Sequence, residues 1–361
     1  MPVDINTVMN SFIYAGILSL LSLGITLAYM TTGVFNFAHP RLAIIGSYAA
    51  ATVVAASMAY LGMKPNLETF ETAIGVVRQP LPLSVYALGL LASVAAATAA
   101  ALVEYYAILR PLQRRGADFL KLMIATLAYD FILVAGLFLY STLPYLDSKA
   151  SEANIGISST SMTMTSYDVW IWSGDVVIRG MFIMGVSATI AVSVILFLLL
   201  FKTKLGIKMR ASVENPDLAR VLGINVDRVY AIAWAISGAT AGVAGFIILF
   251  GTHVLKPISA TSPADEIVVS AFAGSIVGGI NSVFGSIGGG FLIGLVEKLF
   301  TNILVGVTGY GNLLKFGKVF SMAAVVIVLL FMPEGLASVR WKRALGRLLR
   351  LRFISRGVRS G

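Results

Sequence analysis

The chain has 361 residues, of which 58% are hydrophobic and only 12% charged, and its net charge is +10. A soluble domain carries about twice that charged fraction, and a mean hydropathy of +0.88 excludes a water-soluble globular fold. The complete lack of cysteine excludes disulfides, thiolate metal sites and thiol catalysis.

Nine apolar stretches follow one another at 12–30, 42–61, 85–103, 119–140, 177–201, 229–250, 267–280, 284–305 and 319–331. Most approach the roughly 20 residues that cross a bilayer core as a helix. The expected fold is all-α: a polytopic transmembrane helical bundle of about eight to ten segments. Residues 1–337 form the membrane domain and 338–361 a basic tail. The first ten residues carry one charged side chain, Asp4, and lack the basic region of a cleavable signal, so the first segment is expected to stay in the mature chain.

In chain order, the first interruption is "GVFNFAHPRLAIIG" at 33–46, which sets Asn36, His39, Pro40 and Arg41 among apolar residues. The longest connection, 141–176, is mildly acidic, and Trp170 and Trp172 suit an edge resting at the membrane interface. Between the fifth and sixth stretches lies "ENPDLARVLGIN" at 214–225. Here Asn215 can cap a short helix, Pro216 suits its first position, Asp217 complements the dipole and Gly223 stops it. Leu218, Val221 and Leu222 fall on one face of that helix, which either docks in a partner or rests on lipid headgroups.

The glycine-rich run 271–294 places Gly274/Gly278, Gly285/Gly289 and Gly290/Gly294 at the spacing of close helix packing. Like 33–46, it also reads as a broken helix beside a translocation path. Beyond the last stretch the tail holds eight basic residues and no acid, with Trp341, Leu345, Leu348 and Leu351 as an apolar stripe. That is a positive-inside anchor or an interfacial helix, not a nucleic-acid surface.

Nine crossings with the N-terminus outside place 18 of the 27 Lys and Arg residues on inner connections, against six on outer ones. The N-terminus is therefore expected outside and the C-terminus in the cytoplasm. Asp130 and Glu297 are the acids placed inside crossings; Asp130 has no evident mate, and Glu297 has only Lys298 beside it in sequence. Each reads as a structural hydrogen-bonding group or a member of a proton relay. His39 and His253 are too sparse for a metal site, and "GNLLKFGKVF" at 311–320 fails as a phosphate loop in its glycine spacing and at Val319.

Taken together, "GVFNFAHPRLAIIGSYAAA", "RASVENPDLARVLGINVDRVYAIAWAISGATAGVAG", "AFAGSIVGGINSVFGSIGGG" and "LLFMPEGL" resemble the H-type permease subunits of ABC importers for branched-chain amino acids, over about residues 8–337. Two departures stand out: Pro40-Arg41 follows His39 where the family usually has glycine and an acid, and 206–211 keeps only part of a Gly-Arg-x-x-Arg-Ala pattern. The resemblance implies a subunit that breaks no bond and carries no cofactor of its own, with ATP bound by partner subunits. Those partners are a second, M-type permease, two ATP-binding subunits and an extracytoplasmic substrate-binding protein. It makes Asn215, Pro216, Asp217, Leu218, Val221, Leu222 and Gly223, within a cytoplasmic loop at 205–228, the coupling helix toward the ATPases. Asn36, His39, Gly278, Gly279, Asn281 and Ser282 are the candidates for lining the path. The alternative is a self-sufficient secondary transporter or channel for a small polar solute such as urea or a short amide, in which Asp130 or Glu297 titrates.

Overall fold

The computed structural model describes residues 4–61, 70–72, 75–77, 81–141, 170–173, 176–251, 263–332 and 334–338. His253, most of the 141–176 connection and the basic tail from 339 onward lie outside the described residues. The chain forms α1 (Ile5–Thr32), α2 (His39–Tyr60), α3 (Leu83–Arg114), α4 (Phe119–Ser141), α5 (Gly180–Lys202), α6 (Lys204–Glu214), α7 (Pro216–Val221), α8 (Val226–Gly251), α9 (Pro263–Gly278), α10 (Val283–Thr308) and α11 (Gly317–Phe331). Among the described residues, seven helices are long and apolar enough to cross a membrane, and two shorter apolar helices, 267–278 and 317–331, accompany them. Two small antiparallel hairpins supplement the helices: Phe70–Thr72 pairs with Gly75–Val77, and Trp170–Ser173 pairs with Val176–Arg179 just before α5.

Helix α1 lies at the centre, packed against α10, α8, α9 and α5, while α8 also covers α2 and α3. Lipid tails are as apolar as leucine, so helices in a bilayer gain little from burying grease and associate through close packing and interhelical hydrogen bonds. Both devices are present. The backbones of Gly290 and Gly294 lie against Leu18, Ser19 and Ala15 of α1, and Gly245 lies against the Ala43 carbonyl. Ser19 donates to the Ile287 carbonyl at 2.7 Å, Ser22 to Ala271 at 2.8 Å, Ser47 to Gly245 at 2.7 Å and Ser237 to Gly24 at 2.9 Å. Each hydroxyl thus satisfies itself on the backbone of another helix, as a dry interior requires.

Three boundaries differ from the sequence reading. The connection expected at 31–41 ends early, because Pro40 sits at the first helical positions of α2, where its missing N–H costs nothing. Arg41 is therefore inside a helix rather than in a connection between helices. Helix α3 does not stop at Val103 but runs on through a π-helical turn, Glu104–Leu109, to Arg114. Glu104 is fully buried there. The expected helix breaks fall between helices rather than within them: residues 33–38 between α1 and α2, and 279–282 between α9 and α10.

Candidate functional site

The first break is a short buried segment. Helix α1 ends at Gly33, whose φ of 69° turns the chain back toward the bundle. The Asn36 side-chain oxygen accepts from Ala38 N at 2.8 Å, and its amide donates to Glu104 Oε2 at 2.8 Å. Thr126 of α4 accepts from Phe37 N at 3.3 Å, and the Phe35 and Phe37 rings meet Phe272 of α9 at 5.6 and 5.2 Å. His39 Nδ1 lies 3.2 Å from Ser237 Oγ, and its ring fills the space beside Gly24. Its Nε2 and the Glu104 Oε1 have no hydrogen-bond partner among the described residues. Arg41, only 3% exposed, reaches Asp130 of α4 at 3.0 and 3.3 Å. Asp130 therefore has the mate that the sequence did not reveal, and each charge offsets the desolvation of the other.

The second break is the turn between α9 and α10. Gly278 and Gly285 touch backbone to backbone, and Ser282 caps α10 by accepting from Gly285 N at 3.0 Å. Gly279 has φ 107° and Gly335 φ 80°, conformations that side chains resist. They also meet each other, a Cβ at 335 falling 2.5 Å from Gly279 Cα. Residues 334–337 and the glycine turn thus form one joint. Asn281 and Ser282 line two cavities, one on each side of it: one of about 310 Å³ bounded by α1, α5 and α6, and one of about 440 Å³ bounded by Leu329, Glu334 and Ala337.

The third element is α7. Asn215 caps it by accepting from Leu218 N at 2.9 Å, Asp217 pairs with Arg220 at 2.7 Å, and Gly223, with φ 80°, closes it. Ala219 is buried, whereas Leu218, Val221 and Leu222 are 55%, 83% and 69% exposed. Past its end, Asp227 accepts from Arg110 at 2.8 Å and Arg114 at 2.6 Å, and Tyr105 donates to its carbonyl at 3.2 Å. Tyr230 donates to the Ser212 carbonyl at 3.1 Å. The connection is thereby clamped to α3, the helix that also holds Glu104.

The six candidate path residues do not share one cavity. Asn36 and His39 are fully buried by α3 and α8, while Asn281 and Ser282 face the two cavities and Gly278 and Gly279 shape the turn between them. The seven coupling candidates do form one unit. Glu104 was missed because it stands at the edge of an apolar stretch; the run Tyr105 to Leu109 after it is the signal that the helix continues. Glu297 receives Tyr14 at 2.8 Å, Ser270 at 2.6 Å and Ser321 at 3.3 Å, with Lys318 at 3.6 Å, while Lys298 lies over the Tyr14 ring.

Membrane-length helices packed around buried polar breaks, with a capped helix projecting beyond them, define a polytopic helical membrane protein. Similarity to known proteins goes further: the chain belongs to the family described as branched-chain amino acid transport system / permease component, which matches residues 7–332. It is 36% identical over 340 residues to the probable branched-chain amino acid transport permease protein LivH of Methanocaldococcus jannaschii, covering 94% of each chain. It is 26% identical over 326 residues to the high-affinity branched-chain amino acid transport system permease protein LivH of Escherichia coli K12, covering 88% of this chain and 90% of that one. A shorter match, 32% over 153 residues and 41% of each chain, is to the xylose/arabinose import permease protein XylH of Sulfolobus acidocaldarius. No solved structure matches the chain.

Proposed function

We propose that this chain is the permease subunit of an ATP-binding cassette importer that moves branched-chain or other hydrophobic amino acids across the plasma membrane. Its partners are a second, M-type permease, two ATP-binding subunits that hold the nucleotide, and an extracytoplasmic binding protein that delivers the solute. The N-terminus is outside, and α7 lies in the cytoplasm together with the basic ends of α3 and α5, as the distribution of Lys and Arg favours.

One observation carries this reading: three large apolar side chains exposed on a helix outside the membrane spans. A helix of six residues is too short to be stable alone. Its cap, the buried Ala219 and the Asp227 clamp hold it as a rigid knob. Burying Leu218 and Leu222 in a groove of an ATPase is worth roughly 1.5–3 kcal/mol each. Movement of the knob reaches α3 through Asp227 and Arg110, and from α3 it reaches the 33–38 segment through Glu104 and Asn36. The path runs along α1, flanked by Asn36 and His39 on one side and by Gly278, Gly279, Asn281 and Ser282 on the other. The branched-chain substrate follows the transport systems for which the two long matches are named.

The double variant Leu218→Asp/Leu222→Asp tests this. It inserts normally, because the helix lies outside the bilayer, and it loses the ATPases or frees their hydrolysis from substrate control. Co-purification with the ATPases together with substrate-stimulated hydrolysis and uptake would refute α7 as the coupling element.

A further inference from the structure

The smaller cavity, about 310 Å³, lies where the ends of α1 and α5, the helix α6 and the α9–α10 turn converge. We infer that it binds the transported amino acid from the cytoplasmic side and slows further import when the internal pool is high. This rests on the reading of the chain as an amino acid permease and adds a regulatory site to it.

The volume falls within the range of small-molecule sites, about 300–1,000 Å³. Leu27, Leu200, Met209 and Val283 give it apolar walls, and the charges at its rim are Arg210 and Glu214. These two are one helical turn apart on α6, yet among the described residues neither pairs with the other or with any other charged group. The order, cation before anion, is the less favourable one for a pair within a helix. Arg210 donates one N–H to the Leu200 carbonyl at 2.8 Å and rests over the Phe201 ring at 5.1 Å. That fixes the guanidinium and leaves further N–H groups for a carboxylate. Glu214 supplies the counter-charge for an ammonium. A fixed cation, a carboxylate one turn away and a greasy recess match the three parts of an apolar α-amino acid. A sugar offers neither charge, and a carboxylic acid without the amine leaves Glu214 unanswered.

The site is also placed to act on coupling. Glu214 immediately precedes Asn215, the cap of α7, and the opposite wall is the Asn281–Phe284 stretch that begins α10. A ligand spanning the cavity ties α6 and the coupling helix to the turn and to α1, and so favours one arrangement of the four over any other.

The test uses the whole assembly in vesicles with the ATPases facing outward. L-leucine is added on the ATPase side, and binding-protein-stimulated ATP hydrolysis is measured. Hydrolysis falls saturably with leucine. Leucinol, which lacks the carboxylate, and 4-methylpentanoate, which lacks the amine, need about tenfold higher concentrations, the scale of one lost charge-assisted contact. Glu214→Gln, at an exposed position, raises the half-inhibiting concentration about as much, and Val283→Phe, which fills the recess, does the same by exclusion. Both still move leucine from a lumen that holds the binding protein to a leucine-free ATPase side. If wild-type assembly imports leucine while leucine on the ATPase side leaves hydrolysis unchanged, the inference falls and the import reading stands. The same holds if both variants remain fully inhibited, or if hydrolysis responds to exchange of phosphatidylethanolamine for phosphatidylglycerol but not to leucine, which would give the cavity to a lipid headgroup. If no branched-chain or other hydrophobic amino acid is imported, both readings fall.

Discussion

Helices α1 and α4 are both apolar and both long enough to span a bilayer, yet the most apolar stretch of α1 is 89% buried and that of α4 only 22%. The difference lies in what interrupts the grease. Helix α1 carries Gly16, Gly24, Ser19, Ser22 and Thr26, which let neighbours approach and bond to it, whereas α4 turns Leu120, Ile124, Phe131 and Ile132 outward. Apolar content places a helix in the membrane, and small and hydroxyl residues decide its place in the bundle. Helix α7 belongs to neither class, since its exposed Leu218, Val221 and Leu222 lie beyond the spans. Lipid explains the outward face of α4, and a partner subunit is the proposed cover for α7.

The contrast breaks most severely at Gly290→Leu. A Cβ there meets the Leu18 carbonyl oxygen at 2.6 Å and Ser19 Cα at 2.8 Å, so α1 and α10 must part. Overpacking costs about 1–3 kcal/mol in cores that can yield, and backbone yields least. Loss of a monodisperse, detergent-stable protein in size-exclusion chromatography is the expected result. Next in size, Arg41→Ala strands the Asp130 carboxylate and costs about 3–5 kcal/mol in thermal unfolding. The double variant Arg41→Ala/Asp130→Ala recovers most of that loss, and failure to recover would show that charge pairing is not what Arg41 contributes. Finally, a matched pair measures the comparison itself. Ile17→Ala in α1 costs about 2–5 kcal/mol, while Ile132→Ala on the outward face of α4 changes stability by less than about 0.5 kcal/mol. Equal losses would mean that α4 is covered in the assembly as tightly as α1 is in the chain.

Local signals were legible in the sequence and relational ones were not. The cap, stop and apolar face of α7 all lie within nine residues, so Asn215, Gly223 and the three exposed side chains could be read directly. Each of the nine apolar stretches is mostly helical for the same reason, since hydropathy is a property of a window, although 177–179 pair as a strand and 279–280 lie in a turn. The glycine spacing of 271–294 announced close approach, and the structure supplies its partners, including Gly335 against Gly279. Pairings between distant segments left no such mark. Arg41 falls between two apolar stretches and its mate Asp130 is 89 positions away, while Glu104 falls just past a third stretch and its partner Asn36 is 68 away. The π-helical turn that carries Glu104 inward has no sequence signature of its own.

What covers α7 decides whether it is the coupling helix. Because the chain has no cysteine, Leu222→Cys provides a single thiol for a photoactivatable maleimide, and Ile132→Cys provides the matching control on α4. On irradiation of the transport-competent assembly, the probe at 222 is predicted to form its adduct with an ATP-binding subunit, and the probe at 132 is not. An intact, transporting assembly in which the probe at 222 captures only lipid, or nothing, would contradict the assignment of α7 as the coupling helix.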